Sequence, residues 1–123
     1  MMSTNTLSIL DTTVYGIASG NYDGSSEDFY SDAARAVGYY LGQGSLQTVI
    51  IQVLGFTGDI TIQGTLNSDP AAAVWNDLYL YGSDSSTTVT DYHPENIVGN
   101  FTWMRARITN FSDGTIVGVT ITY

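Results

Sequence analysis

Residues 100–123 read NFTWMRARITNFSDGTIVGVTITY. From Phe101 to Thr109 the chain alternates. Met104, Ala106 and Ile108 fall on one face, and Phe101, Trp103, Arg105 and Arg107 on the other. A period of two with one apolar face marks a strand packed on one side. On the second face an arginine stem can lie across an aromatic ring. Thr115 to Tyr123 is a second run, with Val117, Val119, Ile121 and Tyr123 together. Ser112-Asp113-Gly114 between them has turn chemistry. The expectation is two strands facing each other across that turn, with the chain stopping on its last strand residue.

The same reading extends toward the N-terminus. Trp75 to Tyr81 is a strand in which Trp75, Asp77, Tyr79 and Tyr81 alternate with Asn76, Leu78 and Leu80. Thr87 to Tyr92 is another, broken by His93-Pro94-Glu95-Asn96. Asn67 to Ala73 reads as a single helical turn, which Asp69 can cap with Pro70 at its first helical position. Asp59 to Leu66 is half-buried, with Ile60, Ile62, Gly64 and Leu66 on the apolar face. Gly55-Phe56-Thr57-Gly58 reads as a turn. Leu46 to Leu54 (LQTVIIQVL) carries large residues on both sides, which predicts a central strand covered on both faces. Tyr30 to Ala36 is ambiguous between helix and strand, and Val37 to Leu41 favours strand. Gly20 to Asp28 is a loop, Thr13 to Ala18 a first strand, and residues 1–12 a polar N-terminal arm. Residues 13–123 then form a single all-β domain of about eight strands with at most one short helical turn. The favoured architecture is an antiparallel two-sheet sandwich, jelly-roll-like.

Composition narrows the function. The chain has 123 residues, twelve acids, three arginines and no lysine, for a net charge of −9. Such acidity opposes phosphate backbones, so direct nucleic-acid binding is not expected. Charged residues are 12% of the chain, against roughly 25% in an ordinary soluble domain. The 28 serines and threonines take over the polar surface. No segment approaches the roughly 20 apolar residues of a membrane-spanning helix. Met1 to Asp11 is polar without a cationic start, so no secretory signal is expected. Cysteine is absent, which excludes disulfides and thiolate chemistry. Sheets commonly blunt their edges with charge, lysine above all. This chain lacks it, so closure, covering loops or a neighbouring subunit must protect the edges, and a neighbouring subunit is favoured.

A family resemblance rests on three pieces. They are GFTGDITIQGTL (Gly55 to Leu66), the Ala-rich turn with Trp75, and GNFTWMRARITNF followed by GTIVGVTITY. Together they resemble small structural proteins of tailed bacteriophages, cyanophage-like ones among them. The shared pattern is aromatic-x-Trp-x-Arg-Ala-x-Val/Ile, here Phe101, Trp103, Arg105, Ala106 and Ile108. The resemblance covers about half of the chain, from Gly55 onward. It implies a virion component such as a capsid decoration, neck, tail or baseplate protein. It also implies a homo-oligomer docked on other virion proteins, and carries over no catalytic residue.

Individual residues are weighed against simpler roles. Asp91-Tyr92-His93 could orient an imidazole, but no G-x-S-x-G elbow accompanies it, and before Pro94 the histidine reads as a loop residue. Most aspartates sit beside Gly or Ser, which suits turns more than paired-carboxylate hydrolysis. Asp23, Glu27 and Asp28 in one loop, or Asp84 and Asp91 around another, could offer calcium oxygen ligands. No D-x-D-x-D-G run exists, and no metal or cofactor is expected. The sequons Asn100-Phe-Thr and Asn110-Phe-Ser carry no weight without a secretory route. The aromatics divide among core, subunit contact and sugar stacking. Arg105, Arg107, Trp103, Phe101, Trp75, Tyr79 and Tyr81 are the expected interface residues. A carbohydrate-binding module for host-surface glycans is the alternative function.

Overall fold

The computed structural model describes residues 6–39, 45–72, 74–82 and 88–123. Eight strands form one antiparallel sheet: β1 (Thr6–Leu10), β2 (Thr13–Val14), β3 (Phe29–Tyr30), β4 (Ala34–Arg35), β5 (Leu46–Thr65), β6 (Asn76–Gly82), β7 (Val89–Val98) and β8 (Trp103–Thr122). The all-β, antiparallel expectation holds. Its division into two separate sheets does not, because β5 and β8 run unbroken through the whole sheet.

These two strands are 20 residues each and pair with each other along almost their full length. The first half of β5 lies between β7 and the second half of β8. Its second half lies between β6 and the first half of β8. On the far edge of β8, β3 and β4 flank the first half, and β1 and β2 the second. Val49, Ile51, Val119 and Ile121 from one half join Ile60, Ile62, Met104, Ala106 and Ile108 from the other in one buried cluster. The sheet therefore bends across its strands, and its two halves share a core.

The bend sits at the two segments with turn chemistry. Gly55-Phe56-Thr57-Gly58 and Ser112-Asp113-Gly114 do not reverse the chain. They lie opposite each other in the ladder, with Thr57 facing Asp113 and register shifts on both sides. Such bulges bend a strand and raise its twist. Left-handed backbone at Gly55 (φ 58), Asn110 (φ 55) and Gly114 (φ 86) carries the deformation. Phe56 and Phe111, both fully buried, fill the inside of the bend with ring centroids 5.7 Å apart. Tyr22 packs on Phe111 at 5.3 Å and on Phe29 at 5.1 Å.

Several local expectations change with this architecture. From Thr6, the stretch expected as a polar arm is β1, because Leu7 and Ile9 alternate with Thr6 and Ser8, and Ile9 is buried. Residues 1–5 lie outside the described residues. The first expected strand shrinks to Thr13–Val14, since Gly16 (φ 86) begins a turn in which Ile17 N donates to the Val14 carbonyl. Strand β7 runs straight through His93-Pro94. Its only described partner is β5, so every second amide points away from the ladder and a proline fits there.

Leu46 to Leu54 is central in the sheet but covered on one face only, leaving Leu46 and Leu54 exposed. Conversely, Thr61, Gln63 and Thr65 on the polar face of β5 are buried. Leu66, placed with the apolar face by alternation, is exposed just past the strand. Val37–Tyr39, where strand was favoured, is a 3-10 turn, residues 40 and 41 lie outside the described residues, and the expected helical turn is the 3-10 turn Pro70–Ala72. The second is capped as read, Ala71 N donating to Asp69 Oδ1 at 2.9 Å.

The bend gives a paired test. A Cβ on Gly55 would meet open space, whereas one on Gly114 would overlap the Gly55 carbonyl. Gly55→Ala is expected to cost about 1 kcal/mol from its left-handed backbone alone. Gly114→Ala should exceed it by about 2 kcal/mol, because the facing strand must move. Urea midpoints of the two variants measure the difference, and equal losses would refute the close approach.

Candidate functional site

The outward face of the second half of the sheet gathers most of the conspicuous side chains. Parity places them there. Ala106 and Ile108 point into the core, so Trp103, Arg105 and Arg107 point out. Their neighbours on β5 are Thr65, Gln63 and Thr61. On the other side Tyr30 lies opposite Arg107, and Arg35 opposite Trp103. All three cations of the chain thus share one sheet face.

Arg105 is its centre. The guanidinium carbon stands 4.2 Å from the Tyr30 ring centroid and 4.4 Å from that of Trp75. Its Nε donates to Gln63 Oε1 at 2.8 Å, and Gln63 Nε2 donates in turn to Asp77 Oδ1 at 2.8 Å. Burial lowers the pKa of Arg105, partly offset by Tyr30 and reinforced by the positive charge of Arg107. A second stack adjoins the first. Arg35 lies 4.7 Å from the Tyr39 centroid, and Tyr39 meets Trp103 edge-on at 5.3 Å. Trp103 Nε1 donates to the Ser68 carbonyl at 3.1 Å. These long side chains explain why Thr61, Gln63 and Thr65 are buried on a face that points away from the core.

At the bend the same face turns acidic. Asp59 Oδ2 accepts from Asn110 Nδ2 at 3.0 Å, and Asp28 Oδ1 from Asn110 N at 3.1 Å. Glu27 is adjacent and exposed, its carbonyl accepting from Phe111 N. The face therefore runs from cationic and aromatic at the start of β8 to anionic at the bend. Three clefts of the described surface are lined by none of its arginines or tryptophans, and one of them takes in Asp28 and Asn110 at its acidic end.

Of the seven expected interface residues, Arg105, Arg107, Trp103 and Trp75 come together. Phe101 does not, because it precedes the strand and lies over the bare α-carbon of Gly64, against the core. Tyr79 and Tyr81 do not either. A bulge at Leu78 sets Asp77 opposite Gln63 but Tyr79 opposite Ile62, so the two tyrosines turn inward. Tyr30 and Tyr39 complete the face and were missed. Tyr30 lies in a two-residue strand, too short to show a period, and Tyr39 in a 3-10 turn.

The inward tyrosines form a second cluster between β6 and β7. Tyr79 Oη lies 2.9 Å from His93 Nε2, with the rings stacked at 5.5 Å. The same nitrogen is 3.2 Å from Glu95 Oε1, an ion pair when the imidazole is protonated. Tyr81 Oη donates to Asp91 Oδ2 at 3.1 Å. Burial, seconded by that hydrogen bond, pushes the Tyr81 phenol up to about 12. Burial also raises Tyr79, with Glu95 and Asp91 contributing. His93 is a strand residue and not the loop residue expected. These contacts join the edge strands of the two halves.

The calcium candidates are occupied differently. The Asp23 carboxylate accepts from Ser25 N at 2.8 Å and from Ser26 N at 2.7 Å, forming a local turn. Bonds from Ser26 and then Ser25 hold its pKa down at about 2. Asp91 is engaged by Tyr81, and Asp84 lies outside the described residues. No family model, curated protein or solved structure matches this chain.

Arg105→Lys is expected to cost about 1–2 kcal/mol, since an ammonium on a flexible stem cannot serve both rings and Gln63 together. Denaturant unfolding measures it, and an unchanged midpoint would show that the stack contributes nothing. For Tyr81 the sign follows from a folded pKa above the unfolded value of about 10. The neutral phenol stabilises fully below pH 10, and that contribution is lost as pH rises through about 12. Tyr81→Phe should flatten the alkaline fall in stability over this window. A fall of unchanged slope in the variant would rule the phenol out.

Proposed function

We propose that this chain is an assembly module that acts by docking and not by catalysis. Its outward cation–aromatic face is the docking surface, and a tailed-phage particle is its setting. The carrying observation is the convergence of Arg35, Arg105 and Arg107 with Tyr30, Tyr39, Trp75 and Trp103 on one sheet face. Aromatic and arginine side chains are enriched where protein surfaces meet. The arginines and tryptophans of the face line none of the three clefts, which suits a protein partner better than a small molecule that favours a concave site. The virion setting draws on the resemblance of residues 55–123 to tailed-phage structural proteins. In that setting the module would decorate a capsid, or sit in a neck, tail or baseplate.

The glycan-binding alternative draws on the same rings, since Tyr30 is 46% and Tyr39 40% exposed. A sugar stacks on a free ring face. Here guanidinium groups already cover one face each of Tyr30, Tyr39 and Trp75. The arrangement therefore favours protein docking.

Arg107→Glu tests the reading, because Arg107 makes no ion pair among the described residues whose loss would unfold the chain. The variant is expected to keep its thermal midpoint within a few degrees and to lose at least tenfold in incorporation into assembled particles, measured by quantitative mass spectrometry. Normal incorporation would overturn the role of this face. Glycan-array binding that is lost with Trp75→Ala, while incorporation is unchanged, would replace docking by sugar recognition.

A further inference from the structure

We infer that a second copy of this chain docks on the cation–aromatic face, related to the first by a two-fold axis. The inference rests on the reading of that face as a docking surface, and names its occupant. Charge order along the face points to this occupant. Along the outward face the arginines occupy the rows of Trp103, Arg105 and Arg107. The carboxylates of Asp28 and Asp59, with Glu27 beside them, close the same face at the bend around Asn110. Asp77, held by Gln63, sits at the β6 margin. A surface that is positive at one end and negative at the other is its own complement when turned by half a revolution. Each positive end then meets the partner copy's negative end twice over, which is the isologous contact of a two-fold dimer.

An unrelated acidic protein would complement the positive end but leave the bend carboxylates facing like charge. A second copy satisfies both ends with one geometry. The aromatic rings interleaved with the arginines would supply the apolar part of the contact, and the charges would set register and orientation. Arg107 is the natural cationic reporter. Glu27 is the natural acidic one, because its side chain makes no hydrogen bond among the described residues that a substitution would break.

Sedimentation of the purified full chain tests the inference by charge exchange. The unaltered protein is expected to dimerise, with at least tenfold weaker association in high salt. Arg107→Glu and Glu27→Arg, each alone, are expected to sediment as folded monomers at concentrations where the parent pairs. A 1:1 mixture of the two should dimerise again, because each end then meets its opposite at both symmetric contacts. Asp28→Arg in place of Glu27→Arg provides a second acidic partner for the same mixture. A parent protein monomeric at all concentrations, or mixtures that stay monomeric with both acidic variants, would overturn the two-fold dimer. Incorporation into particles is measured separately, so failure here leaves the docking reading to stand or fall on its own.

Discussion

At the level of Gly55 and Gly114 the backbones of β5 and β8 approach too closely to admit a side chain on Gly114. Both strands deform there together, and the buried rings of Phe56 and Phe111 occupy the inside of the bend. The rest of the molecule follows. Because β5 bends, β6 and β7, which pair with the same edge of it at different heights, are brought face to face. Their closure is polar, through Tyr79 to His93 and Tyr81 to Asp91. On the opposite margin Tyr123 Oη donates to the Arg35 carbonyl at 2.9 Å, linking the end of the chain to β4. One deformation thus creates both the core and the two seams that close it.

Some of this was legible in the sequence. The alternation of Met104, Ala106 and Ile108 fixed the inward face of β8, and all three are fully buried. The Asp69-Pro70 cap was legible because its chemistry is local. The bend was not. Gly55 to Gly58 and Ser112 to Gly114 carry true turn chemistry, but a turn and a paired bulge use the same residues. Which one forms depends on whether the two signals meet across a ladder, and that is set by long-range pairing. The split between Trp75 and the two tyrosines has a similar origin. One extra residue at Leu78 reverses the parity of everything beyond it, as any slip of register does.

The outward face also explains how a strand with a polar side can be central. Thr61, Gln63 and Thr65 would ordinarily face water. Here the arginine stems and the tryptophan and tyrosine rings lie across them, so the polar atoms must be satisfied within the layer. Gln63 meets this demand by accepting from Arg105 and donating to Asp77. Thr65 Oγ1 donates to Asn67 Oδ1 at 2.9 Å. The layer is therefore a structural part of the sheet as well as its exposed surface. A charge carried on such a supported platform loses less side-chain entropy on contact than one on a free stem.

The case for a selected surface rests chiefly on Arg35. Arg105 and Arg107 share a face by strand parity alone, and their proximity needs no functional explanation. Arg35 is remote from them in sequence. It reaches the same face only because β4 pairs with the first residues of β8. An acidic chain gains solubility from its carboxylates wherever they lie. Its few cations are nonetheless gathered on one face, although like charges repel. Burial lowers the pKa of Arg105, Tyr30 opposes that shift and Arg107 adds to it. Carboxylates docking on this face would meet all three cations together, which is the electrostatic reason to look for a partner there.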